Sequence, residues 1–156
     1  MSALAHKEGR SVSSQVLSSF LVAQHREVDD LLTLMAASCG TPAAADLFNH
    51  LRRALEHHIA LEEKVLFPAF EQRGGPSGPI AVMRREHAVI RELLVPQASL
   101  LSDGAPCRAR LAQLEAIMSQ HNAKEEQVLY PMSDQLFADC AEDLLAAMTE
   151  SAAIAN

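Results

Sequence analysis

At 156 residues, 49% hydrophobic but only 4% aromatic, the chain has enough apolar material for one domain with one core. Its wealth of Ala, Leu, Glu and Gln favours helices over sheets. A formal net charge of -7 leaves no basic patch for nucleic acid or an anionic membrane surface. No stretch approaches the ~20 apolar residues of a membrane span, and no apolar run follows a basic segment at the N-terminus, so a cytoplasmic protein is expected.

Residues 1–10 are polar and aperiodic and read as a loose tail, with the folded domain expected over 11–156. A helical pattern follows over 11–38, with Leu17, Leu21, His25, Val28, Leu32 and Met35 on one face. Gly40 stops it, and Thr41-Pro42 reads as the cap and first position of a second helix reaching residue 72. Its stripe is Leu47, Leu51, Leu55, His58, Glu62, Val65 and Ala69, and Pro68 should loosen its last turn. The Gly- and Pro-rich segment 73–79 is a loop that divides the chain. A third helix is predicted over 79–102, carrying Ile80, Met83, His87, Ile90 and Leu94, with a kink or an end near Pro96. After the turn at 103–106, a fourth over 105–129 carries Leu111, Leu114, Met118, His121, Glu125 and Val128. A short amphipathic helix over 133–149 packs on the rest.

Cys39, Cys107 and Cys140 are odd in number and far apart, which suggests apolar fillers or loop thiols rather than a disulfide framework.

The two halves repeat. HREVDDLL at 25–32 resembles HAVIRELL at 87–94, and HIALEEKVLFP at 58–68 resembles HNAKEEQVLYP at 121–131. Two such helical hairpins predict an all-α, antiparallel up-down-up-down four-helix bundle with a short C-terminal helix.

Each inner stripe is apolar except at one level, which receives His25, His58 with Glu62, His87, and His121 with Glu125. A His and a Glu four residues apart share a helix face. Two ionised carboxylates among leucines must be paired or metal-bound, and no inward Lys or Arg stands at that level. The donors are nitrogen and oxygen without sulfur, which suits iron, with zinc or manganese as substitutes. Six ligands exceed one tetrahedral zinc. They suit two metals bridged by both glutamates with two imidazoles each, leaving room for an oxo or hydroxo bridge and a small ligand. Leu21, Val28, Leu55, Met83, Ile90, Met118 and Val128 are expected to line that space. Glu63 and Glu126, one residue off the stripe, read as surface carboxylates or partners of the ligands; Asp29 reads as a surface charge. Phe67 and Tyr130 occupy matched places, where packing at the bundle end is the simpler account and a gate or redox-active tyrosine the sharper one.

These motifs resemble the hemerythrin-like, HHE cation-binding domain family over about residues 15–135. The resemblance implies an antiparallel bundle with a non-heme di-iron centre held by His25, His58, Glu62, His87, His121 and Glu125. The chain departs from the marine-worm oxygen carriers, which have a second His where Arg91 stands and a five-residue His-to-Asp step in the fourth helix. It is closer to bacterial members, including the di-iron proteins of iron–sulfur cluster repair. The expected function is binding of O2 or nitric oxide for sensing, storage or scavenging. The alternatives are a di-iron enzyme that oxidises ferrous iron or consumes peroxide or nitric oxide, and an iron donor in iron–sulfur cluster repair.

Overall fold

A computed structural model describes residues 15–154, apart from the side chains of residues 99, 100 and 154. The expected tail and the first residues of the predicted first helix, 11–14, lie outside the described residues. Within them the chain is all helical, with no strand. Helix α1 spans Val16–Ser38 and α2 Ala44–Leu61. A π-helical turn over Glu62–Leu66 leads into α3, Phe67–Gln72. Then come α4, Ser77–Leu93, a short α5, Ala98–Ser102, and α6, Gly104–Lys124. A second π-helical turn over Glu125–Leu129 leads into α7, Tyr130–Leu136, and α8 covers Ala141–Ile154. The predicted bundle is formed by α1, α2 with α3, α4, and α6 with α7. Helix α1 packs on α2 and on α6, and α4 packs on α6. The terminal α8 lies against α1, α2 and the first π turn, with Met148 fully buried.

The prolines shape both long helices in the same way. Pro68 and Pro131 have no N–H to give to the carbonyl one α-turn back, and their rings crowd that carbonyl. The chain widens instead. The Phe67 N–H bonds to the Glu62 carbonyl and the Tyr130 N–H to the Glu125 carbonyl, five residues back. This corrects one expectation. Val128 belonged on the inner stripe of a regular helix, but the widened turn rotates it out to 48% exposure and carries Leu129 and Tyr130 inward. In the first half, Leu66 and Phe67 are likewise buried while Val65 is only half-buried.

Two other expectations change. Thr41 does not cap α2, which begins at Ala44; its hydroxyl donates instead to the Ser38 carbonyl at 2.7 Å, closing the preceding turn. Cys39 and Cys107 are not separate fillers. They form a disulfide, with Cα atoms 5.6 Å apart, that ties the end of α1 to the start of α6. Gly40 sits beside it at φ +78°, where a Cβ would come within 3.1 Å of the Gly104 backbone. Only glycine tolerates both the backbone conformation and that approach. The predicted third helix ends before Pro96, as α4, and resumes as α5.

The core falls into two apolar clusters. One runs from Val28 and Leu55 to Cys39 and Cys107; the other collects Leu17, Leu21, Phe67, Phe70, Met83, Tyr130 and Met148. The polar level lies between them.

Candidate metal centre

All six inward residues named from the sequence meet at this level. His25, His58, Glu62, His87, His121 and Glu125 are each 1% exposed or less. Spacing explains the convergence. His58 and His121 stand one α-turn before their glutamates, while His25 and His87 come from the opposite member of each hairpin.

The carboxylates divide their oxygens. Glu125 Oε2 lies 3.1 Å from His25 Nε2, and Glu125 Oε1 lies 3.1 Å from His121 Nε2 and 4.0 Å from His87 Nε2. Glu62 Oε1 lies 3.5 Å from His58 Nε2, and Glu62 Oε2 lies 3.2 Å from His87 Nε2. Two groups of donors result. Glu62, His87, His121 and Glu125 surround one point; His25, His58 and Glu125 surround another. Two donors that each sit ~2.1 Å from one ion, at a right angle, are ~3.0 Å apart, so the separations of 3.1 and 3.2 Å fit neighbouring ligands on a shared cation.

The outer nitrogens settle which way the imidazoles face. His58 Nδ1 is 2.8 Å from Gln24 Oε1, and His87 Nδ1 is 3.0 Å from Glu63 Oε1. His121 Nδ1 is 2.9 Å from Glu86 Oε2, and His25 Nδ1 is 2.8 Å from Glu126 Oε1. The partners form a closed ring, each drawn from the preceding bundle member: first to second, second to third, third to fourth, fourth to first. A carboxylate or an amide oxygen can only accept, so each Nδ1 carries the hydrogen and each Nε2 turns its lone pair inward. The ring is itself anchored. Arg91 grips Glu63 with two bonds of 3.0 Å and Glu56 at 3.2 Å, Lys124 binds Glu86, and Arg26 stands 3.5 Å from Glu126.

This leaves the centre with a shortage of hydrogens. Four carboxylate oxygens and four imidazole nitrogens face inward, and the Tyr130 hydroxyl is the one neighbouring O–H. His25 Nε2 and His58 Nε2 stand 3.2 Å apart, and with both rings neutral neither has a hydrogen for the other. With the imidazoles neutral and no cation present, Glu62 Oε2, His87 Nε2 and Glu125 Oε1 are buried with no hydrogen-bond partner. An unpaired buried ion costs several kcal/mol, about what two or three fully buried leucines contribute. Cations resolve the shortage, and the nitrogen and oxygen donors fit iron, manganese or zinc.

Protons are the substitute when no cation is bound. Burial lowers the His121 pKa, but the hydrogen bond and charge of Glu125 outweigh it and bring it to about 9. His25 is raised by the same carboxylate against the same penalty. Burial lowers His58 to about 4, with the neighbouring imidazoles adding to the effect of burial. Burial also opposes ionisation of Glu125, yet His121 and His25 hold its carboxyl below the usual range.

Glu63 and Glu126 therefore act as partners of the histidines, while Asp29 is exposed, its carboxylate 3.5 Å from Arg26. Gln24 and Glu86 were not singled out from the sequence. Their signal was the repeat itself, since each immediately precedes the first histidine of its half. Tyr130 was read as end packing; instead its hydroxyl reaches the centre, 2.7 Å from Glu62 Oε1, 3.0 Å from Glu125 Oε2 and 3.1 Å from His25 Nε2.

An all-helical bundle with a buried His/Glu level of this kind is a cation-binding fold. The chain matches the Hemerythrin HHE cation binding domain over residues 16–133 and belongs to that family. It is also similar to the iron-sulfur cluster repair protein YtfE of Edwardsiella ictaluri, at 28% identity over 151 residues, covering 81% of this chain and 68% of that protein. No solved structure matches it significantly. Among the described residues no helix is long and apolar enough to cross a membrane.

Proposed function

We propose that the protein holds two iron ions between His25, His58, Glu62, His87, His121 and Glu125, and that the pair binds O2 or nitric oxide for sensing, storage or scavenging. The carrying observation is that Glu125 gives one oxygen to each donor group, while Glu62 turns Oε2 to His87 at 3.2 Å and Oε1 toward His58 at 3.5 Å, in a site starved of hydrogens. Ferrous iron bound there would supply electrons and an open coordination position to a diatomic molecule.

The chain's own part is to fix that position and keep it dry. The ring of Gln24, Glu63, Glu86 and Glu126 holds each imidazole in one tautomer and one orientation. The apolar clusters on both sides restrict water to what the helix seams admit. A groove of about 400 Å³ between α1 and α6, lined by Arg26, Leu32, Met118, Asn122 and Glu126, runs up to the carboxylate behind His25.

The test is anaerobic loading with ferrous iron followed by stoichiometric O2 or nitric oxide, with the visible spectrum recorded. A binding protein gives a new absorption that saturates at one ligand per iron pair and reverses on evacuation. Multiple turnovers of O2, peroxide or nitric oxide would replace this reading with the enzymatic one.

Iron donation in iron–sulfur cluster repair is a second reading, supported by the similarity to the Edwardsiella iron-sulfur cluster repair protein. Transfer of iron to an apo-cluster protein would support it, and tightly held, non-exchanging iron would oppose it.

A further inference from the structure

The two donor groups are unequal. One has two imidazoles and two carboxylate oxygens, from His87, His121, Glu62 and Glu125. The other has His25, His58 and Glu125, with Glu62 Oε1 at the longer 3.5 Å from His58. We propose that Tyr130 completes this second group as a metal ligand, its phenol oxygen bonding to the ion held by His25 and His58. The proposal rests on the di-iron reading above.

Geometry carries it. Tyr130 Oη stands 3.1 Å from His25 Nε2, 2.7 Å from Glu62 Oε1 and 3.0 Å from Glu125 Oε2. The phenol oxygen is thus as close to these donors as the candidate ligands are to each other, or closer. A phenol has one hydrogen and, with His25 neutral, can satisfy one of the three acceptors crowded on it. A cation satisfies them all, because each then points a lone pair at the same ion. Ferric iron is a hard cation suited to an anionic oxygen, and the phenol's proton leaves to solvent as the oxygen–iron bond forms.

The repeat supplies a control inside the molecule. Phe67 occupies the equivalent place in the first half, stacked on His87 with ring centroids 5.7 Å apart and planes 9° from parallel. It fills the same kind of space without an oxygen. Tyr130 stacks on His25 in a related way, at 5.6 Å and 29°. Packing at the bundle end therefore needs only a ring, and the hydroxyl is the addition of one half. The π-helical turn brings it in, since widening places residue 130 over Glu125 five positions earlier.

The sequence contains a single tyrosine, so a tyrosine signal in the wild-type protein can come from nowhere else. The experiment loads the full chain with ferrous iron, oxidises it with ferricyanide, and records resonance Raman spectra under visible excitation beside the iron content. The expected result is two irons per chain with enhanced tyrosinate ring modes and a phenolate-to-iron absorption. Tyr130→Phe should lose both signals while keeping the iron. Two irons without tyrosinate modes in the wild type would overturn the proposal and leave the di-iron reading standing. A chain that takes up no iron would overturn both. The wild-type spectrum decides the matter even if the variant fails to fold.

Discussion

His58 and His121 stand at equivalent places in the two halves and yet live in different electrostatic surroundings. His121 faces Glu125 inward and the Glu86 carboxylate outward, and its pKa rises to about 9; His58 faces neutral Gln24 outward, and burial takes it to about 4. His121 gains most from Glu125 at 3.1 Å, with Glu86 adding to it, whereas His58 is more deeply buried, stands 3.5 Å from Glu62 and is crowded by three other imidazoles. It follows that near neutral pH the metal-free protein carries a proton on His121 which a cation must displace, and none on His58. The sign is clear. A raised pKa contributes stability that is complete below the unfolded value near 6.5 and is lost as pH rises through about 9. Metal-free protein should therefore melt at a lower temperature as pH rises across that window. Apparent affinity for Mn2+ should rise over the same range, with proton release on binding. Thermal melts of metal-free protein and competition titrations at matched pH values check both trends. A flat Mn2+ affinity would mean that His121 is not among the ligands.

At the scale of elements, periodicity located the histidines and glutamates because each histidine lies on regular α-helix and each glutamate follows it directly, as the first residue of a π turn. It failed just beyond, at Val128 and Tyr130. A stripe drawn at ~100° per residue presumes an unbroken helix. Pro68 and Pro131 announced a disturbance, but nothing in a proline says whether the chain will kink, stop or widen into a π turn. The widening decides which aromatic atom enters the centre, so the hydroxyl of Tyr130 was invisible to a pattern that put Val128 there. The disulfide was hidden for a different reason. Cys39 follows His25 by the same number of positions as Cys107 precedes His121, so a rise of ~1.5 Å per residue puts both sulfurs at one level of two antiparallel helices. That inference needs the register fixed by the two histidines, and separation along the chain alone conceals it. The bridge closes a loop with a sequence separation of 68, for which loop-closure entropy gives about 4 kcal/mol of stabilisation. Reduction, or Cys39→Ser, should lower the denaturation midpoint accordingly and leave cation content unchanged, because the bridge lies far down the bundle from the centre. Thiol titration of unfolded, unreduced protein should find one thiol, Cys140. Three would refute the bridge. Since disulfides persist where the surroundings are oxidising, the same titration on protein from its native compartment bears on the cytoplasmic expectation.

For the whole molecule, the bundle is two apolar clusters joined across a polar floor. The clusters account for folding in the ordinary way, by burial of leucine, methionine and phenylalanine. The floor would work against them if it held two carboxylates and nothing else, which is why a cation belongs to the stability of this fold as well as to its chemistry. Chelation should lower the melting temperature of the loaded protein, and ferrous iron should restore it. Fold class, the hairpin repeat and the six inward residues were all legible because they follow from spacing and from the cost of burying charge. The sharing of each glutamate between two positions was argued from ligand number alone, and side-chain geometry now supports it. The most direct test is an anaerobic ferrous titration with elemental analysis, followed by oxidation and electron paramagnetic resonance. Saturation at two irons per chain, giving a diferric pair that is silent through coupling across its bridges, is the predicted result. Saturation at one iron, or two ferric ions with independent signals, would contradict a pair shared by Glu62 and Glu125.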